Sequence, residues 1–382
     1  MKNNITVTFF SNFLLHHQTP FCEAMIKRLG DGFHFVATEP TPDDRLDMGY
    51  RDYTNVPYVV YSYKNGEQYN EALRLGAESD VVIIGSAPDV FIENRLNQNK
   101  LTFRYHERFF KEGRVRILDP RVFLAHYRHD FRYRNKNLYM LCASAYTAPD
   151  CRFIFSYPGK TYKWGYFPEI NLSDFNGILN LKRGNAKIRI LWVSRFIKLK
   201  HPEEIVRLAK RLKAEKFSFE IEMTGIGELR EQYERTVSEQ HLSDVIKFSG
   251  PFSPEEILNK MKAADIFLFT SDRNEGWGAV LNESMSCGCA VVACNEIGSV
   301  PYLIKDGENG IIYNKKGENS LYKNVRCLLC DEGLREKLQL NAYETVKNVW
   351  NADVAASRLL TLIECINNNT VSPFESGPCS RD

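Results

Sequence analysis

Short apolar runs alternate with amphipathic helical segments along this chain of 382 residues, and they do so in two separate series. The first series has strand-like runs at residues 5–10, 33–37, 58–63 and 81–85, with helix-like segments at 21–29 and 67–75. The second has strand-like runs at residues 188–193, 217–223, 246–248, 266–269, 290–293 and 310–313. Because parallel strands need a crossover connection that is usually a helix, this alternation predicts an α/β fold with parallel, helix-covered sheets.

The length of the chain suits two α/β domains of similar size. Prolines and glycines break the pattern between residues 157 and 187, which indicates an inter-domain connection. Residues 350–367 have the periodicity of a long amphipathic helix, and the segment after it is polar. We predict an N-terminal domain over 1–165, a linker over 166–187, a C-terminal domain over 188–349, that helix over 350–367, and a disordered tail over 368–382.

The composition is that of an ordinary globular protein, with 43% hydrophobic and 26% charged residues. A net charge of +2 gives no bulk attraction to nucleic acid. No apolar stretch approaches the ~20 residues of a membrane span. The ten cysteines include one C-x-x-C pair, Cys327 and Cys330, without a second pair or a nearby histidine. This pattern favours free thiols in a reducing cytoplasm over a disulfide framework or a metal site.

The most informative motif is the segment 272–283, DRNEGWGAVLNE, which follows one strand-like run and precedes another. Glu275 lies in its glycine-rich part and Glu283 in its helical part, at the carboxyl edge of a parallel sheet, where open α/β folds bind ligands. Gly276 and Gly278 precede a helix N-terminus, whose free backbone N–H groups suit a phosphate. A loop carboxylate accepts hydrogen bonds from sugar hydroxyls, and a helical one can reach a ribose diol. The alternative is a loop carboxylate and a solvated helix charge without a ligand.

Two other predicted strand ends carry compatible chemistry. Arg195 and Lys200 follow the run at 188–193, where two cations suit a diphosphate and stabilise charge on a leaving phosphate. The alternative there is a solvated basic loop. Gly225 and Gly227 follow the run at 217–223 and allow either close approach of the backbone to a nucleotide or a tight strand-to-helix turn. The GxGxxG fingerprint of dinucleotide-binding proteins is absent after the first strand.

From about residue 188 to residue 350, these motifs resemble those of the retaining glycosyltransferases of family four, of the bacterial surface-polysaccharide type. The matching pieces are Ser194-Arg195 with Lys200, Gly225-Ile226-Gly227, Phe248-Ser249-Gly250, the segment 275–283, Gly298-Ser299-Val300-Pro301 and Asp306-Gly307-Glu308-Asn309-Gly310. The resemblance implies the GT-B fold, with two Rossmann-like domains facing each other across a cleft. It also implies a nucleotide diphosphate-sugar as donor substrate, no metal or other cofactor, and a last helix that crosses back onto the N-terminal domain.

The resemblance further assigns roles to the residues of these motifs. It implies that Glu283 holds the donor's ribose, that Arg195 and Lys200 hold its diphosphate, and that Glu275 holds the transferred sugar. The rest of the predicted donor site is the backbone of Gly225, Gly227, Gly276, Trp277, Gly278, Ala279 and Val280.

The N-terminal half matches the family less well. Members often carry a Gly-Gly pair after the first strand, where this chain has SNFLLHHQTP at 11–20. Many also place a histidine after the fourth strand, where this chain has GSAPD at 85–89. His106, after the next strand, is the best substitute for that catalytic histidine, and His17 is the second. The alternative for each is a structural role.

The segment 104–136 carries ten Lys/Arg against four Asp/Glu, with aromatic residues interleaved. On a helix starting at Pro120, basic and aromatic side chains can lie side by side and rest on anionic lipid head groups. The alternative is a solvated helix whose aromatic residues face the core. RNA binding is a weaker alternative, because the basic residues are confined to one segment.

Together these features predict a hexosyltransferase that uses a nucleotide diphosphate-sugar and a hydroxyl of a glycan acceptor, which we expect to be lipid-linked. We expect it in the cytoplasm, peripheral on the inner face of the plasma membrane through residues 104–136, without a nucleic-acid partner. The alternatives are a sugar-nucleotide epimerase or a phosphorylase of similar fold, or a non-catalytic protein that binds nucleotide-sugars or glycans.

Overall fold

A computed structural model describes residues 5–43, 53, 55–170, 174–315 and 320–382, apart from the side chain of Ser320. The chain divides into two compact units. The first unit combines Met1–Glu169 with Asn351–Asp382, and the second is Ile170–Trp350. Each unit contains one parallel sheet with helices in its crossover connections, so the predicted α/β class is confirmed.

Within the described residues, the sheet of the first unit has seven parallel strands in the order β3-β2-β1-β4-β5-β6-β7. Its strands are β1 Val7–Ser11, β2 Phe33–Ala37, β3 Val59–Tyr61, β4 Val81–Ile84, β5 Thr102–His106, β6 Leu138–Cys142 and β7 Thr161–Lys163. Its helices are α1 Thr19–Leu29, α2 Gly66–Glu78, α3 Glu93–Asn97, α4 Pro120–His129, α5 Thr147–Phe153 and the C-terminal helix Ala352–Asn367.

The sheet of the second unit has six parallel strands among the described residues, in the order β10-β9-β8-β11-β12-β13. Its strands are β8 Ile188–Val193, β9 Phe219–Thr224, β10 Ile246–Ser249, β11 Ile266–Phe269, β12 Ala290–Cys294 and β13 Ile311–Tyr313. Its helices are α6 Phe175–Arg183, α7 Pro202–Ala214, α8 Arg230–Glu239, α9 Pro254–Ala263, α10 Val280–Ser286, α11 Val300–Leu303, α12 Ser320–Cys330 and α13 Glu332–Asn348.

The central strands of both sheets are largely apolar because helices cover both faces. Every residue of β1, β4, β11 and β12 is buried. Local signals mark where the covering helices begin. At α9, for example, Ser253 and Glu256 form a reciprocal capping box, and Pro254 occupies the first helical position.

The sheet of the first unit has more strands than the sequence patterns indicate. Neither β6 nor β7 is predicted, yet β6 pairs with β5 and with β7. The predicted linker over 166–187 also differs from the structure, since the second unit begins at Ile170 and helix α6 lies within that segment. Asp174 caps the N-terminus of α6, because its carboxylate accepts hydrogen bonds from the N–H groups of Asn176 and Gly177.

The C-terminal segment belongs to the first unit. Its helix packs against α1, where Arg28 forms a 2.9 Å salt bridge with Asp353. The residues after that helix differ from the disordered tail predicted over 368–382. Cys379 and Ser380 are fully buried, and their backbones hydrogen-bond with both main-chain groups of Lys163 in β7 at 2.8 Å. Pairing with an edge strand and burial of the thiol side chain therefore order a segment whose composition is polar.

All ten cysteines lie within the described residues and are free, and seven of them are buried. The lone C-x-x-C pair, Cys327 and Cys330, is exposed on α12. In the described part of the chain, no helix is both long enough and apolar enough to span a membrane.

Candidate functional site

The second sheet reverses its strand order between β8 and β11, which are neighbours in the sheet although β9 and β10 lie between them in the chain. The strands on either side of such a switch point send their following loops in opposite directions, which opens a crevice at the carboxyl edge. The loop after β8 carries Arg195 and Lys200, and the loop after β11 carries Glu275. The fold thus brings to one switch point three of the residues that the sequence singles out.

Direct hydrogen bonds join these two loops. Thr270 Oγ1 donates to the carbonyl of Lys200 at 2.6 Å, and the backbone N–H of Asp272 donates to the carbonyl of Leu199 at 3.0 Å. His201 Nε2 lies 3.2 Å from Asp272 Oδ2. The two loops therefore form one connected structure, and the position of Lys200 depends on residues of the β11 loop.

His201 is a second fixed point of this structure. It adopts a left-handed backbone conformation with φ 53°, and its Nδ1 lies 2.6 Å from the carboxylate of Glu203. The hydrogen bond with Glu203 raises the pKa of His201 above its usual value, and the bond with Asp272 acts in the same direction. A positively charged imidazole between two carboxylates would hold the start of α7 against the β11 loop.

Lys200 and Glu275 form an ion pair across the two loops. Only 13% of the Lys200 side chain and 15% of the Glu275 side chain are exposed, so solvent screens the pair weakly. Arg195 is exposed, and its side chain has no ion-pair partner among the described residues. The edge therefore presents the Lys200–Glu275 pair and the available cation of Arg195 within two adjoining loops.

The backbone after Glu275 offers hydrogen-bond donors. The N–H groups of Gly278, Ala279 and Val280 have no acceptor within the described residues. Gly278 has φ +78°, and a Cβ atom there would lie 2.3 Å from Cζ of Phe269. A glycine is therefore required, because the turn passes directly over the end of β11, and the result is a run of free donors before α10.

Glu283 lies in α10, three residues after the helix begins. Burial alone raises the pKa of its carboxyl group to about 7, because no charged or hydrogen-bonding neighbour in the described part of the chain offsets the loss of solvent. A protein carboxyl group that is desolvated without a protein partner is typical of a binding or catalytic site. This shift favours a binding role for Glu283 over the alternative of a solvated helix charge.

Gly225 and Gly227 have a structural reason to be glycine that requires no ligand. Their φ angles are +143° and +147°. A Cβ atom on Gly225 would lie 2.0 Å from the carbonyl oxygen of Ser194, and one on Gly227 would lie 2.5 Å from that of Phe196. The glycines let the loop after β9 pack against the loop that carries Arg195, so they help to shape the switch point.

The structure restricts the predicted role of Trp277 to its backbone. Its indole is fully buried, donates from Nε1 to Asn282 Oδ1 at 2.9 Å, and packs near the rings of Tyr302 and Trp350. Its carbonyl already accepts a 2.6 Å hydrogen bond from Ser299. Trp277 therefore anchors the turn that exposes the amides of the following residues.

The carboxyl edge of the first sheet carries the histidines that the sequence singles out. His106 ends β5, with its Nδ1 2.6 Å from the carbonyl of Glu107. His17 stacks on Tyr166, with ring centroids 4.4 Å apart and planes 13° from parallel. Tyr166 donates to Glu107 Oε1 at 2.7 Å, and Lys111 pairs with Glu107 Oε2 at 2.6 Å. The two histidines thus belong to one aromatic and charged edge, linked through Glu107 and Tyr166.

Several residues of these two edges were not identified from the sequence. Thr270, Asp272 and His201 bind the loops of the second sheet together, while Glu107 and Tyr166 connect the edge of the first. Thr270 and Asp272 directly follow a fully buried strand, which is a signal that the sequence contains. Tyr166 carries no such signal, because it lies in a segment rich in glycine and proline. In the described ranges no group of three or more His, Cys, Asp or Glu side chains could hold a metal ion.

A comparison with protein families matches much of the second unit. Residues 180–345 match the family described as "Glycosyl transferases group 1". An uncharacterized glycosyltransferase of Methanocaldococcus jannaschii is 29% identical over 169 residues, which are 44% of this chain and 46% of that protein. A Campylobacter jejuni protein named as an N-acetylgalactosamine-N,N'-diacetylbacillosaminyl-diphospho-undecaprenol 4-alpha-N-acetylgalactosaminyltransferase is 28% identical over 175 residues, or 46% of each chain. The chain spans less than half the length of the curated relatives it matches.

The fold resembles solved structures over nearly the whole chain. HepE of Anabaena, crystallised in complex with UDP, has a TM-score of 0.69 at 14% identity and covers 95% of this chain and 100% of its own. Together with the two parallel sheets, this likeness confirms the predicted pair of Rossmann-like domains of the GT-B fold. The residues 180–345 that match this family include the switch point described above.

Proposed function

We propose that this chain is a retaining glycosyltransferase that moves a hexose from a nucleotide diphosphate-sugar to a hydroxyl group of a lipid-linked glycan. The observation that carries the proposal is the set of groups on the second sheet's switch point. These are the Lys200–Glu275 pair, the available cation of Arg195, the three free amides that follow, and the buried carboxyl group of Glu283. A sugar with a diphosphate and a ribose offers a complementary partner to each of them.

The names of the similar proteins support the two substrate classes. The Anabaena neighbour was crystallised with UDP, and further structures of it contain UDP with glucose and UDP-glucose. The name of the Campylobacter relative includes a diphospho-undecaprenol acceptor, which is a lipid-linked glycan. A nucleotide-sugar donor and a lipid-linked acceptor are accordingly our proposal for this chain, which we expect to act in the cytoplasm.

In the proposed reaction, the acceptor oxygen attacks the anomeric carbon on the face from which the phosphate departs. The bond between that carbon and the phosphate oxygen breaks, and the proton of the acceptor hydroxyl passes to the departing phosphate. Arg195 and Lys200 stabilise the charge that develops on the diphosphate, while Glu275 holds hydroxyl groups of the transferred sugar. Glu283 accepts hydrogen bonds from the ribose, so a bound nucleotide replaces the solvent that burial removes.

The first unit supplies the acceptor side of this proposal. Its edge combines rings that can stack on sugars with a carboxylate, Glu107, that can accept hydrogen bonds from hydroxyl groups. We assign to His106, at the end of β5, the role of contacting the reacting sugar, with His17 as the second candidate. Because cationic side chains stabilise the leaving group, we expect turnover to continue when metal ions are removed with EDTA.

The experiment is a two-substrate assay. Purified protein is incubated with UDP-, GDP-, dTDP- and ADP-sugars, each with and without polyprenyl-diphosphate glycans, and release of the nucleoside diphosphate is measured together with the glycan product. Release that requires both substrates, with an axial linkage formed from an axial donor, is the expected result. An altered donor without any acceptor would instead identify an epimerase. Tight donor binding without turnover over a broad acceptor panel would identify a binding protein.

A further inference from the structure

The connection between β5 and β6 exposes an unusual amount of apolar side chain. It consists of a 3-10 turn at Arg114–Leu118, helix α4 and a second 3-10 turn at Phe131–Tyr133. Five large apolar side chains on the first turn and on α4 are at least 41% exposed: Val115 69%, Leu118 77%, Phe123 58%, Leu124 41% and Tyr127 47%. None of the ten residues of α4 is fully buried. We call these five side chains and the arginines among them the β5–β6 surface.

The inner side of α4 is held to the protein by charged contacts and by the ring of His126, which packs near Phe109 and Phe110 with centroids 4.9 and 5.3 Å away. His126 Nδ1 lies 3.0 Å from Asp130 Oδ2, and His129 Nδ1 lies 2.5 Å from Asp89 Oδ2. Arg104, in β5, donates two hydrogen bonds to Asp89 at 2.9 and 3.1 Å and one to the carbonyl of His129 at 3.2 Å. These contacts fix the orientation of α4, so that Phe123, Leu124 and Tyr127 remain on the outside instead of turning into the core.

The charge on the same surface is positive. Six arginines lie between residues 114 and 134, and the two acids in that interval are already engaged. Asp119 caps α4 and pairs with Arg121, while Asp130 is buried in the network under the helix. Arg128 and Arg132 are exposed and have no carboxylate partner in the described part of the chain. Exposed apolar side chains are thus mixed with cations whose counter-ions the protein does not supply.

We propose that the β5–β6 surface binds an anionic lipid bilayer. Aromatic and aliphatic side chains with arginines beside them match the boundary between acyl chains and anionic head groups. A second copy of the chain fits less well, because self-association would bring like charges together. The inference does not depend on the proposed glycosyl transfer, and it goes beyond it by giving the protein a place at the membrane surface.

Vesicle sedimentation tests the proposal. Full-length protein is mixed with vesicles of phosphatidylcholine alone or of phosphatidylcholine with phosphatidylglycerol, and bound protein is measured after centrifugation. We expect binding to the anionic vesicles only, weakening as salt is added. The double variant Phe123→Ser/Leu124→Ser should lower the affinity about tenfold, and Arg128→Glu should lower it at least about fivefold.

Two matched variants control for changes that are not specific to this surface. Leu340→Ser removes a leucine on α13 that is 42% exposed, nearly the same as Leu124. Arg235→Glu reverses an exposed arginine on α8 that, like Arg128, has no ion-pair partner among the described residues. Both should bind anionic vesicles like the unmodified protein, and urea unfolding midpoints establish that all four variants are folded.

The proposal would be overturned if the unmodified protein failed to bind the anionic vesicles or bound neutral vesicles equally well. It would also be overturned if the surface variants bound as tightly as their controls. Fluorescence titration with single-stranded RNA covers the remaining class of polyanion. Strong RNA binding that Arg128→Glu abolishes, together with no vesicle binding, would assign the surface to nucleic acid instead.

Discussion

The two sheets of this protein share the same order of their first six strands, yet their carboxyl edges differ in chemistry. In the second unit, the edge has an ion pair between adjoining loops, free backbone amides and a desolvated carboxyl group. In the first unit, it has stacked rings and a carboxylate that is already bonded to Tyr166 and Lys111. The same strand order thus carries two different edges. The edge of the second unit suits phosphate and ribose, and the edge of the first unit suits the faces and hydroxyl groups of a sugar.

The difference lies chiefly in how each edge uses its backbone. Gly225, Gly227 and Gly278 bring main chain into contact with main chain or with a core ring, which leaves donors exposed at fixed positions. The corresponding edge of the first unit presents side chains instead, including those of His17 and Glu107. A site built from side chains can be changed by a single substitution, whereas a site built from backbone amides requires glycine at several positions. This contrast is consistent with a family match that covers 180–345 and not the first unit.

Glu275→Gln should have the largest effect, because it removes the charge of the carboxylate proposed to hold the transferred sugar. We expect the turnover number to fall about a hundredfold to a thousandfold, by analogy with the loss of one preorganised electrostatic contact. Nucleotide affinity should change little, since the diphosphate and the ribose contact other residues. Steady-state kinetics and calorimetry measure the two quantities separately. Turnover at the unmodified rate would rule out the role assigned to Glu275.

Glu107→Gln makes the same change at the edge of the first unit and sharpens the comparison. We expect the KM for the glycan acceptor to rise several-fold while the affinity for the nucleotide stays the same. If Glu107→Gln weakened nucleotide binding as much as a substitution of Lys200 does, the assignment of the acceptor to the first edge and the nucleotide to the second would be wrong.

Glu283 should make stability depend on pH. Burial raises its pKa to about 7 in the folded protein from 4.5. Between these values the unfolded chain releases the proton while the folded protein retains it, so stability falls as pH rises, by about 3 kcal/mol, and is level above pH 7. Guanidinium unfolding at several pH values should show this slope, and Glu283→Gln should remove it.

Asp130 in the first unit provides the opposite case. Burial alone would raise its pKa, but the hydrogen bond with His126, the charge of Arg104 and the hydroxyl of Tyr157 outweigh burial and lower it. Its contribution to stability is therefore present above the unfolded value of 3.8 and is lost as pH falls through the lower folded value. Asp130→Asn should cost more stability at neutral than at acid pH. The same slope for Asp130 and Glu283 would contradict both interpretations.

Gly227→Ala should have a smaller effect, confined to the second unit. A Cβ atom would meet the backbone of Phe196 at 2.5 Å in a conformation that disfavours side chains, which should lower stability by about 2 kcal/mol or more. Gly30→Ala in the first unit is the control, since its φ is also positive at +56° but no atom lies within 4 Å of the added carbon. It should cost less than Gly227→Ala, because only the backbone conformation and no close contact opposes the added carbon. Equal losses in guanidinium unfolding would show that the backbone contact of Gly227 contributes nothing.

The sequence identified the second unit more fully than the first. Buried runs such as residues 266–269 and 290–293, together with the glycines and charges that follow the strands, were sufficient to place the switch-point loops. The strands β6 and β7 were missed, although Leu138–Cys142 is apolar, because helical and turn segments separate it from the earlier runs. The ordered tail was missed as well, since it depends on pairing with an edge strand over 200 residues earlier in the chain.

The site itself was predictable in its residue types but not in its connections. Glu275, Lys200 and Glu283 stand out by position after a strand or in a helix, and the structure brings the first two into an ion pair. Nothing in the local sequence shows that Thr270 bonds to the backbone of Lys200, or that Glu283 has no partner among the residues that the structure describes. Such facts depend on tertiary packing, which decides which polar groups remain available to a ligand.

Isothermal titration calorimetry with UDP, GDP, dTDP and ADP tests the central claim most directly, namely that the edge of the second sheet binds a nucleoside diphosphate. We expect at least one of them to bind the unmodified protein. The double variant Arg195→Ala/Lys200→Ala should weaken that binding at least about a hundredfold, because it removes two charge-assisted contacts, while Arg235→Ala should leave it unchanged. If none of the four nucleotides bound, or if the double variant bound as tightly as the control, the claim would be contradicted.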